Sequence, residues 1–405
     1  MRTPVPSASS PTSSGLRTLA RMGAGRCLIY SGELRDGLTL LDEVMVSVEM
    51  GELGPVAIGD AYCTVIDACF EVFDLRRCET WTRSFTGWCE ASPEVVLYRG
   101  QCLLHRAELF LLRGGWTAAL DAAREACARL ADPVNLLTIG GAHRLEGDVR
   151  RLRGDHDGAE ACYERADLAG CPPQPGRSLL RAAQGDVHAA AGMMRRALSE
   201  VEDPLSRARL LGPAVEVAIA ADDLDAARAR SEELGAIAHE LSSALLDACA
   251  AHADGAVKLA VGDAEGASRP LRRALIAWRD LDAPYDAART RSLLAEACEA
   301  IGDLDGAVSE RRGAEAALRA LEAGVPLPVG SSPGSTDDAT AIAGLTTREV
   351  EVLRLVARGM TNRDIASELF IADKTVASHL NHIFTKLGLS SRSAATAYAY
   401  QHGLL

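Results

Sequence analysis

Residues 301–310 read "IGDLDGAVSE", and the same turn recurs upstream as "VGDAEGASRP" (261–270), "RGDHDGAEAC" (153–162), "QGDVHAAAGM" (184–193) and, more loosely, "ADDLDAARAR" (221–230). With the residue at the first glycine position as a marker, copies fall at Gly114, Gly154, Gly185, Asp222, Gly262 and Gly302, with weaker ones at Gly32 and Phe73. Successive markers from Gly32 onward are 41, 41, 40, 31, 37, 40 and 40 residues apart. A near-constant period of this size marks a repeat architecture, in which each unit buries its apolar face against the next.

Five residues after each marker stands a small residue: Gly37, Cys78, Ala119, Ala159, Ala190, Ala227, Ala267 and Ala307. Seven residues before it another is usual, as at Gly25, Ala107, Gly147, Ser178, Gly255 and Ala295. Small side chains at both places let two antiparallel helices approach closely, while the glycine ends the first helix and the aspartate after it caps the second. Each copy therefore reads as a helix hairpin, and the array as a solenoid of such hairpins. The paired small positions resemble those of the tetratricopeptide repeat, in copies longer than that family's usual length of about 34 residues, as in the repeat regions of large LuxR-type regulators. That resemblance implies a concave groove that binds a protein or small-molecule effector. Between two copies, "WRDLDAPYDAARTR" (278–291) gathers Trp278, Pro284, Tyr285 and Arg289. Either these line a ligand pocket, or the aromatics pack on the next hairpin with Pro284 in a helix's first turn, the better supported of the two.

Composition agrees with an all-α chain. Of 405 residues 48% are hydrophobic but only 4% aromatic, and the Ala-, Leu- and Arg-rich sequence lacks the β-branched and aromatic runs that strands prefer. Eleven cysteines occur without a CxxC pair and none lies in the last hundred residues, so neither a disulfide framework nor a zinc site is expected, and no cofactor is implied. The opening "MRTPVPSASSPTSSG" lacks the apolar core of a secretory signal and reads as a disordered tail or a start-site artefact. Charges interrupt every apolar run before the roughly 18 residues of a membrane span, and a cytoplasmic location is expected. Only three lysines occur, Lys258, Lys374 and Lys386, and none follows glycine. The sequence therefore holds no GxxxxGK[ST] phosphate loop, and no enzyme is expected.

The net charge of −13 argues against a polyanionic partner until its placement is considered. From Gly344 onward seven Lys and Arg face five acids, about +2, which leaves the rest near −15. Only the C-terminal segment suits phosphate. A Pro-, Gly- and Ser-rich stretch separates it from the repeats, and the expected organisation is a tail over 1–15, repeats over 16–321, a flexible linker over 322–343 and a small four-helix domain over 344–405.

In that domain, Thr346 and Glu349 have capping-box spacing ahead of a helix that buries Val350, Leu353 and Val356 and stops at Gly359. A second helix begins at Thr361 and buries Ile365, Ala366 and Leu369. On the third, Val376, Leu380, Ile383 and Leu387 share one face while Lys374, Ser378 and Asn381 share the other, a helix-turn-helix pattern. "LTTREVEVLRLVARGMTNRDIASELFIADKTVASHLNHIFTKLGLSSRSAA" (345–395) resembles the LuxR-type DNA-binding domain, through Leu345 to Glu349, Gly359 to Ala366, Thr375 to His379 and Lys386 to Gly388. Two positions depart from the family pattern: Ala372 stands where serine is common and Ala377 where a basic residue is common.

The resemblance implies a bacterial transcriptional regulator that binds double-stranded promoter DNA. Bases would be read by Lys374, Ser378 and Asn381, and phosphates held by Thr361, Asn362, Arg363, Thr375, His382, Lys386 and Arg392. His379 reads as a packing residue at the edge of the core. A fourth helix over "SAATAYAY" would pair two copies on DNA as a homodimer, and RNA polymerase would be a further partner. The competing reading is an interaction scaffold whose helix-turn-helix does not bind DNA.

Overall fold

The computed structural model describes residues 13–92, 96–130, 136–322, 347–357 and 360–369, together with residues 376, 379, 380, 383, 386, 387, 395, 398 and 399. Among the described residues there is no strand, and no helix is long and apolar enough to cross a membrane. The chain divides into two compact units, Met1–Leu327 and Pro328–Leu405.

The first unit is a succession of helix hairpins: α1 (Ser13–Tyr30) with α2 (Leu34–Glu49), α3 (Pro55–Glu71) with α4 (Leu75–Ala91), α5 (Val96–Leu112) with α6 (Trp116–Leu130), and α7 (Leu136–Leu152) with α8 (His156–Leu168). The succession continues through α9 (Gly176–Ala183) with α10 (Val187–Ser199), α11 (Pro204–Ala220) with α12 (Leu224–Leu241), α13 (Ala244–Ala260) with α14 (Ala264–Asp280), and α15 (Pro284–Ala300) with α16 (Leu304–Glu322). Helix α1 begins inside the stretch read as a disordered tail. The 31-residue step between markers is taken up in α9, which is only 8 residues long and follows the run Pro172, Pro173 and Pro175, where missing amide hydrogens hold back helix formation.

All eight markers have positive φ, from 57° at Asp222 and 61° at Phe73 to 89° at Gly32. Each is the left-handed residue that ends the first helix of its hairpin, which explains why glycine holds six of the eight. The aspartate that follows caps the second helix where it is present: Asp74, Asp155, Asp186, Asp223, Asp263 and Asp303 each accept the backbone N–H three residues on. The small residues five positions after the markers are all buried.

In the first hairpin the close approach is to backbone: a Cβ at Gly37 would lie 2.7 Å from the Gly25 carbonyl oxygen. That neighbour is backbone and cannot turn aside. Gly37→Ala is expected to cost about 1–3 kcal/mol through overpacking. Gly23→Ala, in the same hairpin with nothing within 4 Å of its Cβ, is expected to stabilise by up to about 1 kcal/mol through helix propensity. Urea unfolding followed by tryptophan fluorescence checks both signs, because all four tryptophans lie in this unit.

The stack does not stay open. Arg209 on α11 donates to the Phe70 carbonyl at 2.8 Å, and Ser243, the N-cap of α13, donates to the Phe73 carbonyl at 2.9 Å. The Arg209 guanidinium also lies over the Phe73 ring, 5.5 Å from its centroid. Farther along, Trp116 at the start of α6 meets the Tyr285 ring edge-on at 5.7 Å and packs with Leu321. A Cβ on Gly114 would strike the side chains of Leu321 and Pro284. The second and third hairpins thus touch the sixth, seventh and eighth, and the inner face becomes the wall of an interior.

Candidate functional site

In the second unit, α17 (Thr347–Ala357) and α18 (Asn362–Leu369) supply more than half of the described residues of a single core. Val352, Leu353 and Val356 from α17 and Ile365 and Ala366 from α18 enclose Val376, Leu380 and Ile383, with Leu387 packed at the margin. The spacing of these last four residues is that of one helical face, as the sequence predicts. Val350 and Leu369 have side chains outside the described set, as do residues Thr346 and Gly359. Ala395 and Ala399 are buried in this same core and Tyr398 packs against it, so part of the segment expected to pair two copies faces its own domain.

The start of α18 is closed by a reciprocal cap. Thr361 Oγ1 donates to Asp364 Oδ2 at 2.7 Å and the Thr361 N–H donates to the same oxygen at 3.0 Å, while the Asp364 N–H returns a bond to Thr361 Oγ1 at 3.3 Å. This is a capping box with aspartate in the usual glutamate place. The carboxylate already sits at the positive end of the helix, where the sequence reading puts a DNA phosphate on Thr361. Thr361 is a cap first, and a phosphate reaching it competes with Asp364. Asn362 follows half-buried, and only the backbone of Arg363 is described.

Lys386, expected to contact phosphate, also has a partner within its own domain. Its Nζ lies 2.7 Å from Glu349 Oε2, whose side chain is 4% exposed. The ion pair ties the end of the third helical segment to α17, two segments 37 residues apart in sequence. His379 is half-buried, in keeping with a packing role. The other expected contacts, Lys374, Thr375, Ser378, Asn381, His382 and Arg392, lie outside the described residues.

The repeat unit holds a second place of interest. Its inner face carries a cavity of about 410 Å³ that is open to solvent. Beside an apolar wall of Phe70, Leu111, Leu145 and Leu179 stand charged groups from four helices: Glu108 on α5, Arg209 on α11, and two clusters on α7 and α15. On α7, Arg144, Asp148 and Arg151 lie on one face at spacings of four and three. Arg144 bridges Glu108 at 3.2 Å and Asp148 at 3.4 Å. Asp148 also accepts the Tyr163 hydroxyl at 2.8 Å. On α15, Arg289 reaches Glu216 at 2.6 Å and Asp286 at 3.7 Å. Burial works against the Arg289 charge, but the two carboxylates outweigh it and hold its pKa above the ordinary value. Burial raises the Asp286 carboxyl, only partly offset by Arg289.

The segment 278–291 therefore divides between its two readings. Trp278 is buried with Ala283 and Leu294 in a core, whereas Tyr285 and Arg289 line the cavity. The α7 charges escape a reading of the sequence alone. Their signal is three charges at i, i+4 and i+7 on a helix whose core stripe is already supplied by Ala142, Leu145 and Val149.

Residues 343–399 match the GerE family, described as bacterial regulatory proteins, luxR family. Proteins of Mycobacterium bovis and Mycobacterium tuberculosis named as HTH-type transcriptional regulators are 32% identical over 204 residues, which is 49% of this chain and 22% of theirs. The transcriptional regulatory protein LiaR of Bacillus subtilis is 44% identical over 71 residues, 18% of this chain and 34% of LiaR. The chain thus spans about a fifth of the length of the mycobacterial relatives and a third of LiaR's. The crystal structure of a Rap protein complexed with competence and sporulation factor aligns over 96% of each chain at 13% identity, with a TM-score of 0.40. Preceded by a succession of helix hairpins, residues 343–399 are a helix-turn-helix domain of the luxR family of bacterial regulatory proteins.

Proposed function

We propose that this chain is a bacterial transcriptional regulator in which the helical repeats receive a protein or small-molecule effector and the C-terminal helix-turn-helix binds promoter DNA. The observation that carries the reading is the luxR-family match over residues 343–399, set on a domain whose helical stripe is seated in a core. Val376, Leu380 and Ile383 are turned inward, and on the helical period read from the sequence Lys374, Ser378 and Asn381 would share the opposite face, the one a major groove would meet. Lys374 and Ser378 near the start of that segment, and Asn381 with an amide suited to adenine, are the proposed base readers. Asn362, Arg363, Thr375, His382, Lys386 and Arg392 are the proposed phosphate contacts, with Thr361 secondary to its capping role. Pairing on a dyad site through the C-terminal helix, contact with RNA polymerase and a cytoplasmic location complete the proposal.

Genomic footprinting with purified protein gives the site, and binding titrations across salt test the assignments. Affinity should fall steeply with salt as counterions are released. Asn381→Ala should narrow the gap between cognate and altered sites by about 1–3 kcal/mol. Lys386→Ala should weaken all sequences alike and also lower the thermal stability of the domain, because Glu349 loses a partner. If no footprint forms at any salt, the scaffold reading replaces this one.

A further inference from the structure

The groups at the polar end of the repeat cavity are unequally satisfied. Arg144 and Arg289 each face two carboxylates. Arg151, one turn beyond Asp148 on α7, has no carboxylate within ion-pair distance among the described residues. Its Nε donates to the Tyr163 hydroxyl at 3.3 Å, and its two terminal nitrogens find no hydrogen-bond partner among the described residues. Tyr285, across the cavity on α15, is placed by Trp116 against its edge and by the Arg289 guanidinium 5.6 Å over its ring. Its hydroxyl likewise finds no partner among the described residues. A guanidinium fork whose outer nitrogens have no protein partner among the described residues and stay open to solvent, and a fixed phenol, beside an apolar wall, form a site that offers donors to an incoming acceptor.

We propose that this cavity binds a small monocarboxylate with an apolar body, its head group taken bidentately by Arg151 and by the Tyr285 hydroxyl, and its body laid against Phe70, Leu111 and Leu145. The fork geometry of a guanidinium matches a carboxylate and holds it with charge-assisted bonds. A single negative charge fits better than the two of a phosphate, because Asp148 and Asp286 stand nearby. The cavity's volume lies within the range of small-molecule sites, and its few convergent polar groups on an apolar wall are the usual makeup of one. Both walls are needed: α7 brings Arg151, α15 brings Tyr285, and the closure of the stack brings the two together. The proposal rests on the reading of the repeats as effector-receiving and names the class of effector.

The test uses the full chain, with octanoate and phenylacetate as probes, matched against octanol, octylamine and phenethylamine, and measured by calorimetry and by the midpoint of the tryptophan-detected melt. At least one carboxylate should bind roughly tenfold or more tighter than its uncharged or cationic counterpart. Arg151→Gln should remove that preference while the melt without probe keeps its cooperativity, and Tyr285→Phe should reduce it. If Arg151→Gln fails to fold, Arg151→Lys, which keeps the charge but loses the fork, should lower carboxylate affinity. Equal affinity for carboxylate, alcohol and amine, no binding of either carboxylate, or carboxylate affinity unchanged by every Arg151 variant would overturn the proposal. DNA affinity measured with and without the bound carboxylate separates the two readings. A carboxylate that binds but leaves DNA affinity unchanged upholds the site and removes the effector role, whereas a site that binds none leaves the DNA-binding reading standing on its own.

Discussion

Val376→Asp is expected to unfold the C-terminal domain and abolish DNA binding while leaving the repeats intact. Val376 is fully buried among residues of α17 and α18, at 0% exposure. An aspartate there loses the valine's apolar burial and sets a carboxylate among Val352, Ile365 and Ile383 with no cation among them. Ionised, it remains a desolvated charge; protonated, it still buries an unsatisfied hydroxyl. Either way the cost is about 4 kcal/mol or more, and a domain of this size draws only about 3–5 kcal/mol from its single core. The folded fraction should therefore collapse. Because all four tryptophans belong to the repeats, the tryptophan-detected melt should be unchanged, while DNA retention in a gel-shift assay is lost and the segment becomes open to proteolysis. Wild-type DNA affinity in the variant would mean that the stripe at 376, 380 and 383 does not face the core.

The second large effect is expected from Trp116→Ala. The indole is 2% exposed and touches Tyr285, Val149 and Leu321, so its removal leaves a cavity that rigid helices on both sides cannot fill. Truncating a buried tryptophan costs about 3–5 kcal/mol. More follows from where the residue sits, because Trp116 joins the third hairpin to the eighth. Trp81→Ala, half-buried on α4 against the core of the early hairpins, should cost less. The comparison of the two urea midpoints checks this, and the slopes add information. If Trp116 helps close the stack, its variant should also unfold with a smaller dependence on urea, since the opened native state already exposes part of its interior. A loss confined to the midpoint would mean that the closure persists without it.

Local geometry explains what was legible in the sequence. A residue that must adopt positive φ advertises itself as glycine, so the turns could be counted from Gly32 to Gly302. The two exceptions, Phe73 and Asp222, stand out only against the period of the glycines around them. Two helices in van der Waals contact need small side chains, so Gly37, Ala159 and Ala267 announced the hairpin pairs. The stripe Val376, Leu380, Ile383 announced the inner face of the third helical segment. Long-range relations were not legible, because they depend on angles summed over several hairpins. Nothing near Phe73 in the sequence points to Ser243, 170 residues away. Neither the cavity nor the different satisfaction of Arg144 and Arg151 could be read before the inner face was known. Lys386 shows the same limit on a smaller scale: a lone lysine on a polar segment suits phosphate, and only the fold reveals Glu349 beneath it. At Thr361, the motif that suggested an anion site also contained the anion, three residues on at Asp364.

The meeting of early and late hairpins also bears on how the chain reaches this state. In an open array each unit depends only on its neighbours, so terminal units fray one by one and folding can begin anywhere and spread. Here the bonds from Arg209 to Phe70 and from Ser243 to Phe73 span 139 and 170 residues. They form only after the intervening hairpins have stacked, and the loop entropy they carry falls late on the path. Assembly should therefore resemble the fastening of a clasp: quick local pairing, then a slower step that joins the ends and turns a linear succession into one cooperative body.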